Sequence, residues 1–114
     1  GEFAAEALVN KAHAEYESRR GDPLETVERA LEVDDRMPEA WYNRAVFLNE
    51  RGNHEEALRC IDNAFSLGMR TPRALDEKAR ALEELGKHEE ADKLREEAAE
   101  QRRETETGED GLRL

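Results

Sequence analysis

Shifted until Pro38 lies on Pro72, the chain falls onto itself: the stretch from Pro38 to Leu67 overlies the stretch that begins at Pro72, with eleven of thirty positions identical. They are Pro38, Ala40, Ala45, Leu48, Glu50, Gly52, His54, Glu55, Glu56, Ala57 and Ala64. A period of this length is too short for a domain and too regular for a loop. It demands a small unit that cannot bury its own apolar face and stacks on its neighbours to do so.

Within the unit, the apolar residues recur at helical spacings. Trp41, Ala45 and Leu48 lie before a turn at Gly52, and Ala57, Leu58, Ile61, Ala64 and Phe65 lie after it. Spacings of three and four place each set on one side of a helix, so the unit is a pair of amphipathic helices with facing stripes. Ala45 and Ala79 on the first helix, and Ala57, Ala91, Ala64 and Ala98 on the second, are small enough for the axes to approach closely. Gly52 and Gly86 end the first helix of each pair, where a left-handed residue is needed. Pro38 and Pro72 open the next pair at a first helical position, and Thr71 supplies a cap.

An aromatic near the start, small residues midway, Gly at the turn and a later Ala series, all on a 34-residue period, resemble the tetratricopeptide repeat (TPR) family. The resemblance covers most of the chain and implies an all-α fold: a right-handed superhelical α-solenoid of about three helix-turn-helix repeats, six helices in all. The repeats are expected at about 4–37, 38–71 and 72–104, with helices near 4–20, 23–34, 38–51, 54–67, 72–85 and 88–104. The first repeat is the least regular. Leu24, Val27, Ala30, Leu31 and Val33 keep the frame, but Gly21-Asp22-Pro23 comes three residues late, which predicts a first helix about one turn longer, a shorter second one and an Asp22 cap before Pro23. Residues 105–114 have little to bury and are expected to form a disordered tail. Gly1-Glu2-Phe3 opens without Met and reads as a cloning remnant, so the chain is expected to be an excerpt of something longer.

Charge restricts the partners. The chain of 114 residues carries 29 acidic against 18 basic residues, a net charge of −11, which argues against attraction to nucleic-acid phosphates and to anionic lipid. Neither an apolar run of membrane-spanning length nor a signal-peptide pattern is present, and a cytoplasmic location is expected.

The residue types that could carry chemistry do not assemble into a reactive set, so the chain is read as not an enzyme, with no catalytic residue, metal site or cofactor. Cys60 is alone, lies at the spacing of Leu94 and is expected to face inward. His54 and His88 occupy equivalent turn positions beside Glu-Glu pairs, where packing under the hairpin explains them better than a metal does. His13 has no partner in sequence. Glu83-Glu84 and Glu96-Glu97 are adjacent on helices and therefore do not face each other as an acid–base pair would. Trp41 is expected in the core.

What is left is recognition by a surface. In the resemblance, the first helix of each repeat lines a concave wall that holds a partner peptide. That wall would contain Glu39, Tyr42, Asn43, Val46, Asn49 and Glu50 from the middle repeat, and Arg73, Asp76, Glu77, Arg80, Glu83 and Glu84 from the third. Tyr42, Asn43, Val46, Asn49, Arg73, Glu77 and Arg80 are the expected groove contacts, with Tyr42 and Val46 as an apolar spot not needed by the core. A family subclass clamps the C-terminal carboxylate of chaperone tails. Lys11, Asn43 and Arg73 match its pattern, but Glu15 and Glu77 stand at the other two positions and would repel such a ligand. The expected partner is a protein or peptide bearing basic residues. The alternative is a homo-oligomerising module or part of a longer array, because the first helix opens with Ala4, Ala5, Ala7, Leu8 and Val9 and lacks a polar cap. The last helix has Ala99 at the place of Phe65 and Leu31, with Asp92, Lys93 and Arg95 around it, and reads as a cap.

Overall fold

The structure, a computed structural model, describes the backbone of residues 3–113 and the side chains of residues 3–106. Six helices follow one another: α1 (Ala4–Ser18), α2 (Pro23–Val33), α3 (Pro38–Glu50), α4 (His54–Ser66), α5 (Pro72–Glu84) and α6 (His88–Arg113). They pack as three hairpins, α1 with α2, α3 with α4 and α5 with α6, and each hairpin stacks on the next. The first helices α1, α3 and α5 also touch in sequence, α1 on α3 and α3 on α5, which makes them one wall. The described residues contain no strand. This is the α-solenoid expected from the repeat.

The local signals act as anticipated. Gly52 and Gly86 adopt φ of 81° and 82°, the left-handed region that only glycine enters without strain. Asp22 accepts the Glu25 amide at 3.3 Å before Pro23, and Thr71 accepts the Ala74 amide at 3.3 Å before Pro72. In the first hairpin the left-handed positions are Arg19 and Gly21; α1 has 15 residues against 13 in α3 and α5, longer as expected but by two residues instead of a turn because it ends at Ser18 and not near 20, and α2 is shorter at 11.

Packing follows the small residues. Ala45, Ala57, Ala64, Ala79, Ala91 and Ala98 are fully buried. The largest apolar cluster sits at the middle repeat, where Tyr42, Ala45 and Leu48 of α3 meet Ala57, Cys60, Ile61 and Ala64 of α4 and Ala74 and Ala81 of α5. A second cluster joins Val9 and Ala12 of α1, Val27 and Ala30 of α2, and Ala40 and Phe47 of α3. Phe47 also stacks on Tyr16, with ring centroids 5.2 Å apart. Cys60 is buried, and burial pushes its thiol pKa up, opposed in part by the Arg44 guanidinium. Trp41 is half-buried; its ring packs against the main cluster and its indole N–H donates to the Asp35 carbonyl at 2.8 Å.

Helix α6 spans His88–Arg113, with side chains described to residue 106, so most of the stretch expected as a tail lies outside the described side chains. At the last described side chains, Thr105 Oγ1 donates to the Gln101 carbonyl at 3.1 Å and Arg103 pairs with Glu100 at 2.6 Å. One expectation is corrected. The apolar start of α1 is not a wholly open face. Ala5 and Val9 are buried against the hairpin, and Ala4 and Leu8 are half-buried, so of the five residues read as uncapped only Ala7 is exposed. The cause is register: Val9 and Ala12 occupy the inward places of Tyr42 and Ala45, a separation one position short of the full repeat.

Candidate functional site: the wall of first helices

The wall is built by the sides of α1, α3 and α5 that turn away from their hairpin partners. On α3, residues three and four apart carry Glu39, Tyr42, Asn43, Val46, Asn49 and Glu50 to it, and α5 contributes Arg73, Asp76, Glu77, Arg80, Glu83 and Glu84.

The geometry separates these residues into three groups. Tyr42 and Asn49 are buried, at 7% and 2% exposure, which corrects the view that Tyr42 is surplus to the core. Tyr42 packs in the main cluster with the Arg73 guanidinium 5.4 Å above its ring, and burial raises its phenol pKa while Arg73 opposes the rise. The Asn49 amide nitrogen donates to a Glu77 carboxylate oxygen at 2.7 Å, and its amide oxygen lies 2.9 Å from His54 Nδ1. Asn49 therefore joins α3, α4 and α5. The second group is acids already neutralised by neighbours. Arg80 reaches Glu50 at 3.3 Å and Glu77 at 3.5 Å, Arg102 of α6 reaches Asp76 at 2.7 Å, and Arg95 of α6 reaches Glu83 at 2.9 Å. The third group is Glu39 and Glu84, exposed and without an ion pair among the described residues, together with half-buried Asn43 and Val46. Val46 touches both apolar clusters.

Three contributors were not legible beforehand. Tyr16 of α1, 37% exposed, donates its hydroxyl to Glu50 at 3.2 Å and carries the wall onto the first repeat. Burial and Glu50 raise its pKa. Its position in the repeat could have flagged it, because the 34-residue frame places Tyr16 at Glu50, a wall position. Arg95 and Arg102 approach the wall from α6, which no count restricted to first helices would include.

Two of the three histidines serve the hairpins, and His13, expected to have no partner in sequence, lies 2.9 Å from Glu17 one turn on along α1. His54 is half-buried against Asn49, and His88, exposed, contacts Glu83 at the equivalent place of the next repeat. Among the described residues, no three His, Cys, Asp or Glu side chains gather as metal ligands would. No helix among them is long and apolar enough to cross a membrane.

Comparison with known proteins agrees with this geometry. A family model described as "Tetratricopeptide repeat" matches residues 38–67, the middle helix pair. Among solved structures, that of MamA superposes with a TM-score of 0.77 at 21% identity, covering 94% of this chain and 63% of that one. Another MamA protein structure gives 0.75 at 21% identity over 90% of this chain and 57% of that one. The Yersinia enterocolitica type III secretion translocator chaperone SycD, in an alternative dimer, gives 0.74 at 18% identity, covering 86% and 76%. The chain thus spans less than two thirds of either MamA chain. None of the curated proteins matches its sequence. The repeat period, the stacked hairpins and the match at 38–67 converge: the middle helix pair matches a tetratricopeptide repeat, and the chain has the all-α solenoid fold of the structures it superposes on.

Proposed function

We propose that the chain is a non-enzymatic protein–protein interaction module that holds a partner peptide along the wall of α1, α3 and α5. The observation that carries this reading is the mixed character of the wall. Val46, Asn43 and the exposed part of Tyr16 form a small accessible strip, rigidly backed by the Tyr16–Phe47 stack and the Asn49–Glu77 bond. A preorganised strip of this kind loses little entropy on binding. Asn43 has an amide that can pair with a peptide backbone.

The charge pattern supports a basic partner, with less force than a count of acids implies. Glu50, Asp76, Glu77 and Glu83 are engaged by arginines, so the field offered to a ligand comes mainly from Glu39 and Glu84. A peptide with Lys or Arg flanking an apolar anchor suits that arrangement, and its association should weaken as salt rises. Because Tyr42 and Asn49 are buried, variants at those positions would confuse binding with folding.

The discriminating variants are Glu39→Lys and Asn43→Ala, compared with wild type for binding to a library of basic peptides, with melting temperature as the control. Binding of a defined basic peptide should fall about fivefold with Glu39→Lys, and the melting temperature should stay in place. Equal binding by both variants and wild type would remove the wall from consideration.

A further inference from the structure

The contacts between successive repeats use one device twice. Arg44 of α3 reaches back to Glu28 of α2 at 3.0 Å, and Lys78 of α5, its counterpart in the next repeat, reaches back to Asp62 of α4 at 2.9 Å. Glu28 and Asp62 are themselves separated by one full repeat. Each cation is flanked on its own helix by two buried residues one turn away, Ala40 and Phe47 beside Arg44, Ala74 and Ala81 beside Lys78. The preceding repeat covers those flanks. Ala40 and Phe47 cluster with Val27 and Ala30 of α2, and Ala74 and Ala81 with Ile61 and Ala64 of α4. Lys78 Nζ additionally lies 5.3 Å from the centre of the Phe65 ring, so a single cation engages both Asp62 and the aromatic three residues later.

In the register set by Val9 and Ala12, the first helix carries the same three residues. Ala7, Lys11 and Ala14 stand where α5 has Ala74, Lys78 and Ala81. All three are exposed, and Lys11 makes no ion pair among the described residues. The α5 set, identical in residue type, is covered by α4.

We infer that the outer face of α1, centred on Lys11 between Ala7 and Ala14, is a docking surface for an amphipathic helix of α4 type, with a carboxylate three residues before a large aromatic side chain. The small alanines allow the visiting helix to approach closely, the carboxylate pairs with Lys11, and the aromatic ring lies beneath the ammonium. A second copy of this chain is a poor occupant. On α6 the matching positions are Glu96 and Ala99, so the acid is present but the ring is missing, and Asp92 replaces the half-buried Leu58. The surface lies away from the concave wall, and the inference does not depend on peptide binding there.

The test uses the whole chain and a hydrocarbon-stapled, fluorescent peptide of residues 54–69 with Cys60→Ser, followed by anisotropy. Saturable binding is expected. Lys11→Glu should weaken it about fivefold without moving the melting temperature, since Lys11 is exposed and unpaired. A peptide carrying Asp62→Lys should regain affinity for the Lys11→Glu chain and lose it for wild type. Ala14→Glu should weaken the original peptide as well, by occupying the approach. Several results would overturn the inference: no saturation up to about millimolar peptide, equal affinity for wild type and Lys11→Glu, or loss of binding in Glu39→Lys with none in Lys11→Glu, which would place the peptide on the concave wall. Light scattering that shows wild type self-associating and Lys11→Glu monomeric would make a second copy the occupant and reject the helix type proposed.

Discussion

The middle and third repeats share a frame, a turn glycine and their close-packed alanines, yet their second helices face different surroundings. Ile61 of α4 is fully buried, whereas Arg95, its counterpart on α6, is exposed. Leu58 and Phe65 are half-buried, and their counterparts are exposed Asp92 and the small Ala99. The inner side does not change: Ala57 and Ala64, like Ala91 and Ala98, have no exposure. Contacts within a hairpin are thus set by the repeat itself, and contacts between hairpins are set by what comes next. The position in the array decides whether a residue must be apolar.

The sharpest way to break this comparison is to truncate both members of the pair. Ile61→Ala removes buried methylenes between two repeats and should cost about 2–5 kcal/mol in chemical denaturation, while Arg95→Ala should stay within about 0.5 kcal/mol. Similar losses would mean that α6 is covered as α4 is. A smaller contrast is expected at the wall. Asn49→Ala leaves the buried side of Glu77 and the His54 ring without their partner and should cost about 1–3 kcal/mol, whereas its counterpart change Glu83→Ala disturbs only exposed ion pairs. If the two changes are equivalent in thermal melts, Asn49 is not a tie between repeats.

The smallest effect concerns acid. Hydrogen bonds from Arg59 and then Arg44 lower the pKa of Glu56, and the hydrogen bond from Arg70 lowers that of Glu97. A carboxylate whose folded pKa lies below its unfolded value, about 4.3 for Glu, stabilises the fold above that value, and the stabilisation is lost as pH falls through the folded pKa. The melting temperature should therefore drop as pH is lowered from about 5 toward 3. Glu56→Gln should flatten that dependence more than Glu97→Gln does, because Glu56 also holds the half-buried Arg44. A steeper slope in the Glu56 variant would reverse the assignment.

Most of the fold was legible because its determinants are local and repeated. Gly52, Gly86, Asp22, Thr71 and the prolines act within one turn of themselves, and the alanines act within one hairpin. The site was less legible because burial on the wall is decided by neighbours from other repeats. Tyr42 looks dispensable until α5 is stacked on α3, and Arg102 reaches Asp76 from α6, a helix outside the set of first helices. The register of α1 was hidden for a related reason. Its turn is displaced by three residues and its buried face by one, and sequence shows the first shift but not the second.

Arg44 has a consequence for the order in which the array comes apart. It bonds Glu28 of α2, Glu56 of α4 and the Cys60 sulfur, at 3.0, 3.2 and 3.0 Å, so three successive helices share one guanidinium. Peeling the first hairpin away would uncover Phe47 and Ala40 and leave a half-buried charge with fewer partners. Fraying at the N-terminal end is then penalised twice, and unfolding from that side becomes more nearly all-or-none. At the other end the outer face of α6 is polar and its ties to α5 beyond Ala98 are exposed pairs, so α6 can loosen turn by turn. Amide exchange would consequently spread from α6 inward and reach α3 and α4 last, making the middle repeat the kinetic keystone of a chain whose three units look interchangeable on paper.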